Sequence, residues 1–423
     1  MKKILYTLCA LGLLMNGQLT AQVAGCDGER YVMETFTDFT KTTVKYGENF
    51  TADGTFQELL MDVYTPDGDD IDERPVIIWA FPGAFISGQR TDMDSLCQQF
   101  VKRGYVAATI DYRLLPTPSI FNIPDSLDVL DEAVRAMGDM KAAVRYFRQD
   151  AATDNNFEID PDYIFVAGGS SGGITALHTA YLDTNDDIPD YLQTIIADNG
   201  GLEGSSGSAE NLTYSSEVQA VINLSGALHK LDWLDAGEAP LASYHGTDDE
   251  VVPYGYDFIG IEFSGLQFNF VTAYGSERLE QRATAEGVTN YLVSAPGAGH
   301  ESAYTPEFGI YYNDFIANGI TFLQNILCTE VVSTQDLDDR SQEVKVYPNP
   351  ASEFVTIDLG TISASYNVSI LDQLGRTIKV FSQINDQKLV LGKEHFGTGL
   401  FVVQLDFMDA GIERISKKVV FYN

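Results

Sequence analysis

Short, unbroken apolar runs recur between residues 40 and 328, and the stretches between them carry apolar positions at helical spacing. Residues 76–81, 106–110, 163–167, 221–224, 241–244 and 291–293 are the clearest runs. Runs that are continuous rather than alternating suit strands covered on both faces, as in a parallel sheet. Between two of them, Leu127, Leu130, Val134, Met137, Val144 and Phe147 follow a helical period. Pro124-Asp125-Ser126 supplies the start signal for that helix. Strand and helix in alternation predict an α/β fold with a mostly parallel sheet and helices on both faces.

The pattern stops near residue 329. Residues 331–344 are polar and read as a linker. Short β-type runs then follow at 354–359, 366–371, 377–381, 389–391, 400–405 and 416–421, separated by turn residues. Such spacing predicts a small β-sandwich over 345–423. At the other end, Lys2 and Lys3 precede an apolar run over residues 4–15 that is too short to span a bilayer. We read residues 1–21 as a secretory signal with cleavage before Gln22, which leaves 22–330 as the large domain. A rival reading takes Val23-Ala24-Gly25-Cys26 as a lipoprotein box that would place a lipid on Cys26. No later segment has the ~20 consecutive apolar residues of a membrane helix.

Composition narrows the function. The chain of 423 residues has a formal net charge of −35, which repels phosphate backbones and argues against nucleic-acid binding. Beyond the leader, three cysteines remain, Cys26, Cys97 and Cys328. In an oxidising compartment they allow one disulfide and one free thiol, with three possible pairings. Cys26 with Cys328 would join the ends of the large domain, and Cys97 lies in an apparent helix as a candidate buried thiol. The acidic stretch 67–73 lacks the spacing of an EF-hand and reads as a solvated turn.

The candidate chemistry centres on Ser170. A strand over 163–167 runs into Gly168-Gly169-Ser170-Ser171-Gly172-Gly173, and a helix runs out. This is the setting in which G-x-S-x-G lifts a serine above the end of a strand. Two registers fit, centred on Ser170 or Ser171. The distance from the strand and the double glycine that follows favour Ser170. A serine nucleophile needs a base, and the base needs an orienting carboxylate. Of the five histidines, His300 follows the last predicted strand and is the best base. His178 reads as core or solvent, His229 and His395 have no catalytic context, and His245 ends a strand. Asp249 lies in the loop after the preceding strand, with Asp248 as its competitor. The chain order Ser, Asp, His is the one α/β-hydrolases use. The Ser171 N–H and the loop 81–85 are the expected donors to a developing oxyanion.

These motifs together resemble the carboxylesterase and hormone-sensitive-lipase-like branch of the α/β-hydrolases over residues 42–327. Asp111-Tyr112-Arg113-Leu114 matches D-Y-R-L, and residues 139–146 resemble a D-x-x-x-A-x-R-Y helix. Phe81-Pro82-Gly83-Ala84-Phe85 takes the place of H-G-G-G-F. The resemblance implies an ester hydrolase with Ser170, Asp249 and His300 as its triad and Gly83, Ala84 and Ser171 as its oxyanion donors. It implies no metal and no cofactor; a small-molecule or polysaccharide-linked ester would suit a secreted enzyme as substrate. The chain departs from the pattern at Phe81-Pro82, at Gly169 in place of an acidic residue, and in a long interval before His300 in which 254–274 reads as an insertion. Residues 345–423 resemble the type A C-terminal sorting domain of type IX secretion, on Tyr347-Pro348-Asn349-Pro350, the run 397–403 and the basic close at Lys417-Lys418. That implies the type IX machinery as partner and a secreted or cell-surface location. Competing readings are a prolyl-oligopeptidase-like peptidase and a non-catalytic binding protein on a hydrolase scaffold. The residues before the first strand are too few for a propeller blade of ~40–45 residues.

Overall fold

The computed structural model describes residues 23–26, 29–116, 124–263, 266–305, 310–328, 344–349, 351–360, 362, 364–371, 377–397, 399–407 and 414–421. The expected leader, and the linker apart from Val344, lie outside these residues. The chain divides into two compact units, residues 1–329 and 330–423.

The first unit is built on an eight-stranded sheet. Its strands are β1 (Phe39–Phe50), β2 (Phe56–Pro66), β3 (Arg74–Ala80), β4 (Val106–Ile110), β5 (Ile159–Gly169), β6 (Ala220–Leu224), β7 (Leu241–Gly246) and, after an inserted hairpin, β10 (Asn290–Ala295). The order across the sheet is β1-β2-β4-β3-β5-β6-β7-β10. β1, β2 and β4 are joined antiparallel, and every pair from β4 to β10 is parallel. β3, β4, β6 and β7 are buried along their whole length, and β5 from Ile164 onward, as continuous apolar runs require. β1 was not foreseen. Its sequence is polar, and it sits at the sheet edge with mostly exposed positions.

Helices cover the sheet: α1 (Asp94–Val101), α2 (Ser126–Ala152), α3 (Ser171–Tyr181), α4 (Asp190–Asp198), α5 (Ser276–Glu286) and α6 (Ile310–Cys328). Asp125 caps α2 by accepting from the N–H groups of Leu127 and Asp128, at 2.8 and 3.0 Å, and Asp128 accepts from Asp125 N–H in return. Val134, Met137, Val144 and Phe147 are buried on this helix. Leu127 is not; the first turn lies against the inserted hairpin, where Ser126 donates to the Phe270 carbonyl, and Leu127 is left 54% exposed.

Arg113 and Asp139, from the two matched motifs, form a buried ion pair with three guanidinium contacts of 2.9–3.1 Å. Ser206 donates to the same carboxylate. Residues 203–211 pack along α2, where Glu203 accepts from the Arg145 guanidinium at 2.5 Å and Asn211 Oδ1 at 2.9 Å. The acidic turn at 67–73 is likewise structural. Asp69 joins Arg30 and Arg74 at 2.6 and 2.7 Å.

Cys26 and Cys328 are joined in a disulfide, with Cα atoms 5.4 Å apart, and Cys97 is free and buried in α1. A sulfur so paired cannot carry a thioether-linked lipid, which counts against the lipoprotein alternative. Among the described residues no helix is long and apolar enough to cross a membrane.

The second unit is antiparallel throughout its named strands. One sheet holds β11 (Lys345–Tyr347), β12 (Phe354–Asp358) and β15 (Lys388–Gly392); the other runs β14 (Thr377–Ile384), β13 (Tyr366–Leu371), β16 (Gly399–Phe407), β17 (Ile415–Phe421). Alternate residues such as Val355, Ile357, Val368, Ile370, Val403 and Leu405 fill its core. Asn349, from the Y-P-N-P opening, accepts from Val420 N–H at 2.9 Å and donates to the Lys418 carbonyl at 2.7 Å, tying the start of the unit to its last strand.

Candidate active site

The sheet order reverses between β3 and β5, which places the loops after these two strands side by side at the carboxyl edge. That is where open α/β sheets form a crevice. The loop after β5 carries Ser170, and the loop after β3 carries residues 81–85.

Ser170 sits between β5 and α3 with φ +52° and ψ −120°, a left-handed conformation that an L-residue adopts only under constraint. Its N–H donates to the Leu224 carbonyl at 2.8 Å, and its carbonyl accepts from Ile174 N–H at 2.9 Å. Two glycines allow the turn. A Cβ on Gly168 would lie 2.3 Å from the Gly172 backbone, and one on Gly172 would lie 2.1 Å from the Ala80 carbonyl oxygen. These are the two glycines of the register centred on Ser170. Gly172→Ala should therefore destabilise the fold by about 3 kcal/mol, seen as a lowered midpoint in urea; unchanged stability would contradict the packing described.

The three foreseen side chains come together. His300 Nδ1 lies 2.7 Å from Asp249 Oδ2, and His300 Nε2 lies 2.8 Å from Ser170 Oγ. The carboxylate only accepts, so Nδ1 carries the proton and Nε2 is free to accept from the serine hydroxyl. Asp249 Oδ1 accepts from the N–H groups of Val251 and Val252 at 2.8 and 2.9 Å. Burial pushes the Asp249 carboxyl up, but hydrogen bonds from His245 and His300 prevail and hold it well below the usual carboxylate range. Asp248, the competitor, takes a bond from Thr247 at 3.1 Å at the surface.

Ser171 faces elsewhere. Tyr112 hydroxyl donates to the Phe81 carbonyl at 2.7 Å, so Ser171 Oγ, 3.1 Å away, donates to Tyr112. The Ser171 N–H is in the first turn of α3, where no intrahelical acceptor exists. Gly83, Ala84 and Phe85 all have positive φ, at 145°, 55° and 60°. Ala84 and Phe85 thereby line the pocket that also contains Ser170. The departure at Phe81-Pro82 has a local explanation. Phe81 is buried and stacked on Tyr112, with ring centroids 4.2 Å apart, and this stack together with the Tyr112 bond holds the loop.

Gly169 also has a reason. A Cβ there would lie 3.0 Å from the Tyr304 ring, whose centroid is 5.9 Å from that of His300. Tyr304 occupies the space an acidic side chain at 169 would need. Burial pushes its phenol up, and an interaction with Ser170 works against that. Sequence reasoning missed Tyr304 and two histidines of the pocket. His178 donates from Nδ1 to the Ile174 carbonyl at 2.7 Å, and burial pushes it down to about 4. His229 meets the Tyr191 hydroxyl at 2.7 Å. Both line the cavity, and only their place in three dimensions, not their neighbours in sequence, reveals it.

The interval before His300 holds a hairpin, β8 (Tyr256–Phe263) with β9 (Leu266–Tyr274), as expected of an insertion. Ile259, Phe270 and Ala273 from it, with Val251 and Val252 before it, wall the pocket. Phe85, Ile86, Val129 and Ile174 close the other sides. The cavity is small, about 50 Å³, and mostly apolar.

Residues 61–236 match the BD-FAE family, and residues 345–421 match the secretion system C-terminal sorting domain. Among curated proteins, the non-reducing polyketide synthase atr1 of Stereocaulon alpinum is 30% identical over 129 residues, 29% of this chain. The match spans only 5% of that much longer protein. Among solved structures, esterase 2 of Thermogutta terrifontis phosphorylated by paraoxon is 22% identical, covering 68% of this chain and 94% of its own, with a TM-score of 0.46. Its propionate-bound form is 23% identical over the same shares, with a TM-score of 0.45. Residues 61–236 are thus similar to an esterase-like α/β-hydrolase family, and residues 345–421 to a secretion-system C-terminal sorting domain.

Proposed function

We propose that this protein is a secreted serine carboxylic-ester hydrolase working through an acyl-enzyme. The observation that carries the reading is the unbroken line from Ser170 Oγ through His300 to Asp249, opening on an apolar pocket. In this mechanism Ser170 attacks the ester carbonyl carbon as His300 Nε2 takes its proton. Asp249 keeps the imidazole in the productive tautomer and stabilises the imidazolium that forms. The backbone N–H groups of Gly83, Ala84 and Ser171 receive the developing oxyanion. His300 then returns the proton to the leaving alkoxide, and water repeats the sequence on the acyl-enzyme.

The small apolar cavity favours short acyl groups, on a free or polysaccharide-linked alcohol. The sorting domain supports export by the type IX route to the cell surface or beyond. We take residues 1–21 as the leader removed on the way, 22–330 as the catalytic domain, 331–344 as the linker and 345–423 as the sorting domain.

Nitrophenyl esters of increasing acyl length, set beside a prolyl peptide substrate, test the activity. We expect nitrophenyl acetate to be turned over, kcat/KM to fall by about tenfold or more as the chain outgrows the pocket, and the peptide to remain intact. Cleavage of the peptide without ester turnover would move the protein to the peptidases.

A further inference from the structure

Asp249 serves two imidazoles, not one. His245 Nε2 lies 3.0 Å from Asp249 Oδ2, the same oxygen that His300 Nδ1 contacts. His245 ends β7 and is fully buried. Its tautomer follows from its neighbours. Nε2 also lies 3.1 Å from the Val252 carbonyl, so both groups at that nitrogen are acceptors and Nε2 must carry the proton. Nδ1 is then a lone pair, and Ser276 Oγ, 2.8 Å away, must donate to it. Ser276 Oγ in turn lies 3.1 Å from Asn223 Nδ2, a donor. Asn223 is oriented by its own oxygen, which accepts from Gly226 N–H at 2.9 Å. Each proton in this buried chain has one consistent place. The Tyr254 ring packs edge-on against His245, at 5.7 Å between centroids, and Asp249 is the one carboxylate that faces it among the described contacts.

We infer that His245 is a positioning residue for the ester hydrolysis: its fixed Nε2–H shares the Asp249 carboxylate with His300 and so sets how strongly that carboxylate charges the base. The inference rests on the triad proposed above. A carboxylate oxygen that accepts from two imidazoles offers less of its charge to either. Without His245, Asp249 would interact with His300 alone and favour the imidazolium more. His300 must be neutral to accept the Ser170 proton, so raising its basicity moves the acid limb of kcat/KM to higher pH. Loss of one of the restraints on Asp249 also loosens the imidazole, which lowers kcat more than it alters KM.

The test compares His245→Leu, His245→Gln and Ser276→Ala with the native protein and Ser170→Ala, using nitrophenyl acetate from pH 4 to 9 (a range about as wide as imidazole titration requires). His245→Leu should move the acid limb up by about half a pH unit or more and lower kcat roughly tenfold with KM little changed. His245→Gln keeps an amide N–H where Nε2–H was and should restore the native limb. Ser276→Ala frees the tautomer without emptying the site, and should shift the limb in the same direction as His245→Leu. It carries the test should the leucine variant fail to fold. A native limb in both Ser276→Ala and His245→Leu, or an equal shift in His245→Gln, would overturn the inference while an inactive Ser170→Ala left the triad standing. An active Ser170→Ala would instead remove the triad reading itself.

Discussion

Ser170→Ala should abolish ester turnover, lowering kcat by a factor of about 10⁴ to 10⁶, whereas Ser171→Ala should stay within about tenfold of the native rate. The asymmetry follows from where the two hydroxyls point. Ser170 Oγ faces His300 Nε2 at 2.8 Å, and Ser171 Oγ is held by Tyr112. Ser171 would contribute to catalysis through its backbone N–H, which alanine retains. Losing its hydroxyl leaves Tyr112 with its bond to the Phe81 carbonyl, so the loop that carries Ala84 stays in place. A fluorophosphonate label read by intact mass gives the same answer without turnover. The native protein and Ser171→Ala should gain one adduct, and Ser170→Ala none. Turnover retained by Ser170→Ala and lost by Ser171→Ala would place the nucleophile one residue later.

Cys26→Ser should destabilise the protein by about 2–4 kcal/mol. The disulfide closes a sequence separation of 302 residues, so it restrains nearly all of the first unit when unfolded. Cys328→Ser should match it, and the double variant should add nothing further, since both remove one bond. A reducing agent should lower the native protein's thermal midpoint by roughly 5–10 °C and leave either variant unmoved. Cys97→Ser tests specificity. That thiol is buried and free, so its effect should reflect packing and be independent of reductant. A native midpoint indifferent to reductant would argue against the bond.

The sequence disclosed most of the sheet because a parallel sheet leaves a direct imprint. Strands such as β3 and β6 have no face to spare for water, and apart from Arg74 and Asn223 their residues are apolar. β1 leaves no such imprint. At the edge it needs few buried positions, and Tyr46 is its main anchor, donating to the Asp111 carbonyl. Ser170 was legible because strand, turn and helix are contiguous in the chain. The glycine contacts at 168 and 172 explain why that register, and not the next, folds as it does. Asp249 and Asp248 could not be separated by spacing. Their difference lies in the turn, where the Val251 and Val252 N–H groups collect one carboxylate and leave the other at the surface. His245 was visible only as the end of a strand. Its partner Ser276 is 31 residues away, and nothing local announces their meeting. The two pocket histidines were hidden in the same way, since His229, in the loop after β6, meets His178 on α3 and the Thr272 carbonyl on the hairpin only in three dimensions.

The hairpin of β8 and β9 enters and leaves the body at one point. Gly275 N–H donates to the Gly255 carbonyl at 2.6 Å, and Tyr274 pairs with Leu228 just beside it. A segment whose ends meet behaves as a cassette. It can be lengthened, shortened or exchanged at little cost in loop closure, while Ser170, Asp249 and His300 stay anchored to the sheet. Shortening the hairpin is therefore expected to change which acyl groups the proposed site accepts while leaving its chemistry in place, a change that a nitrophenyl-ester panel would read.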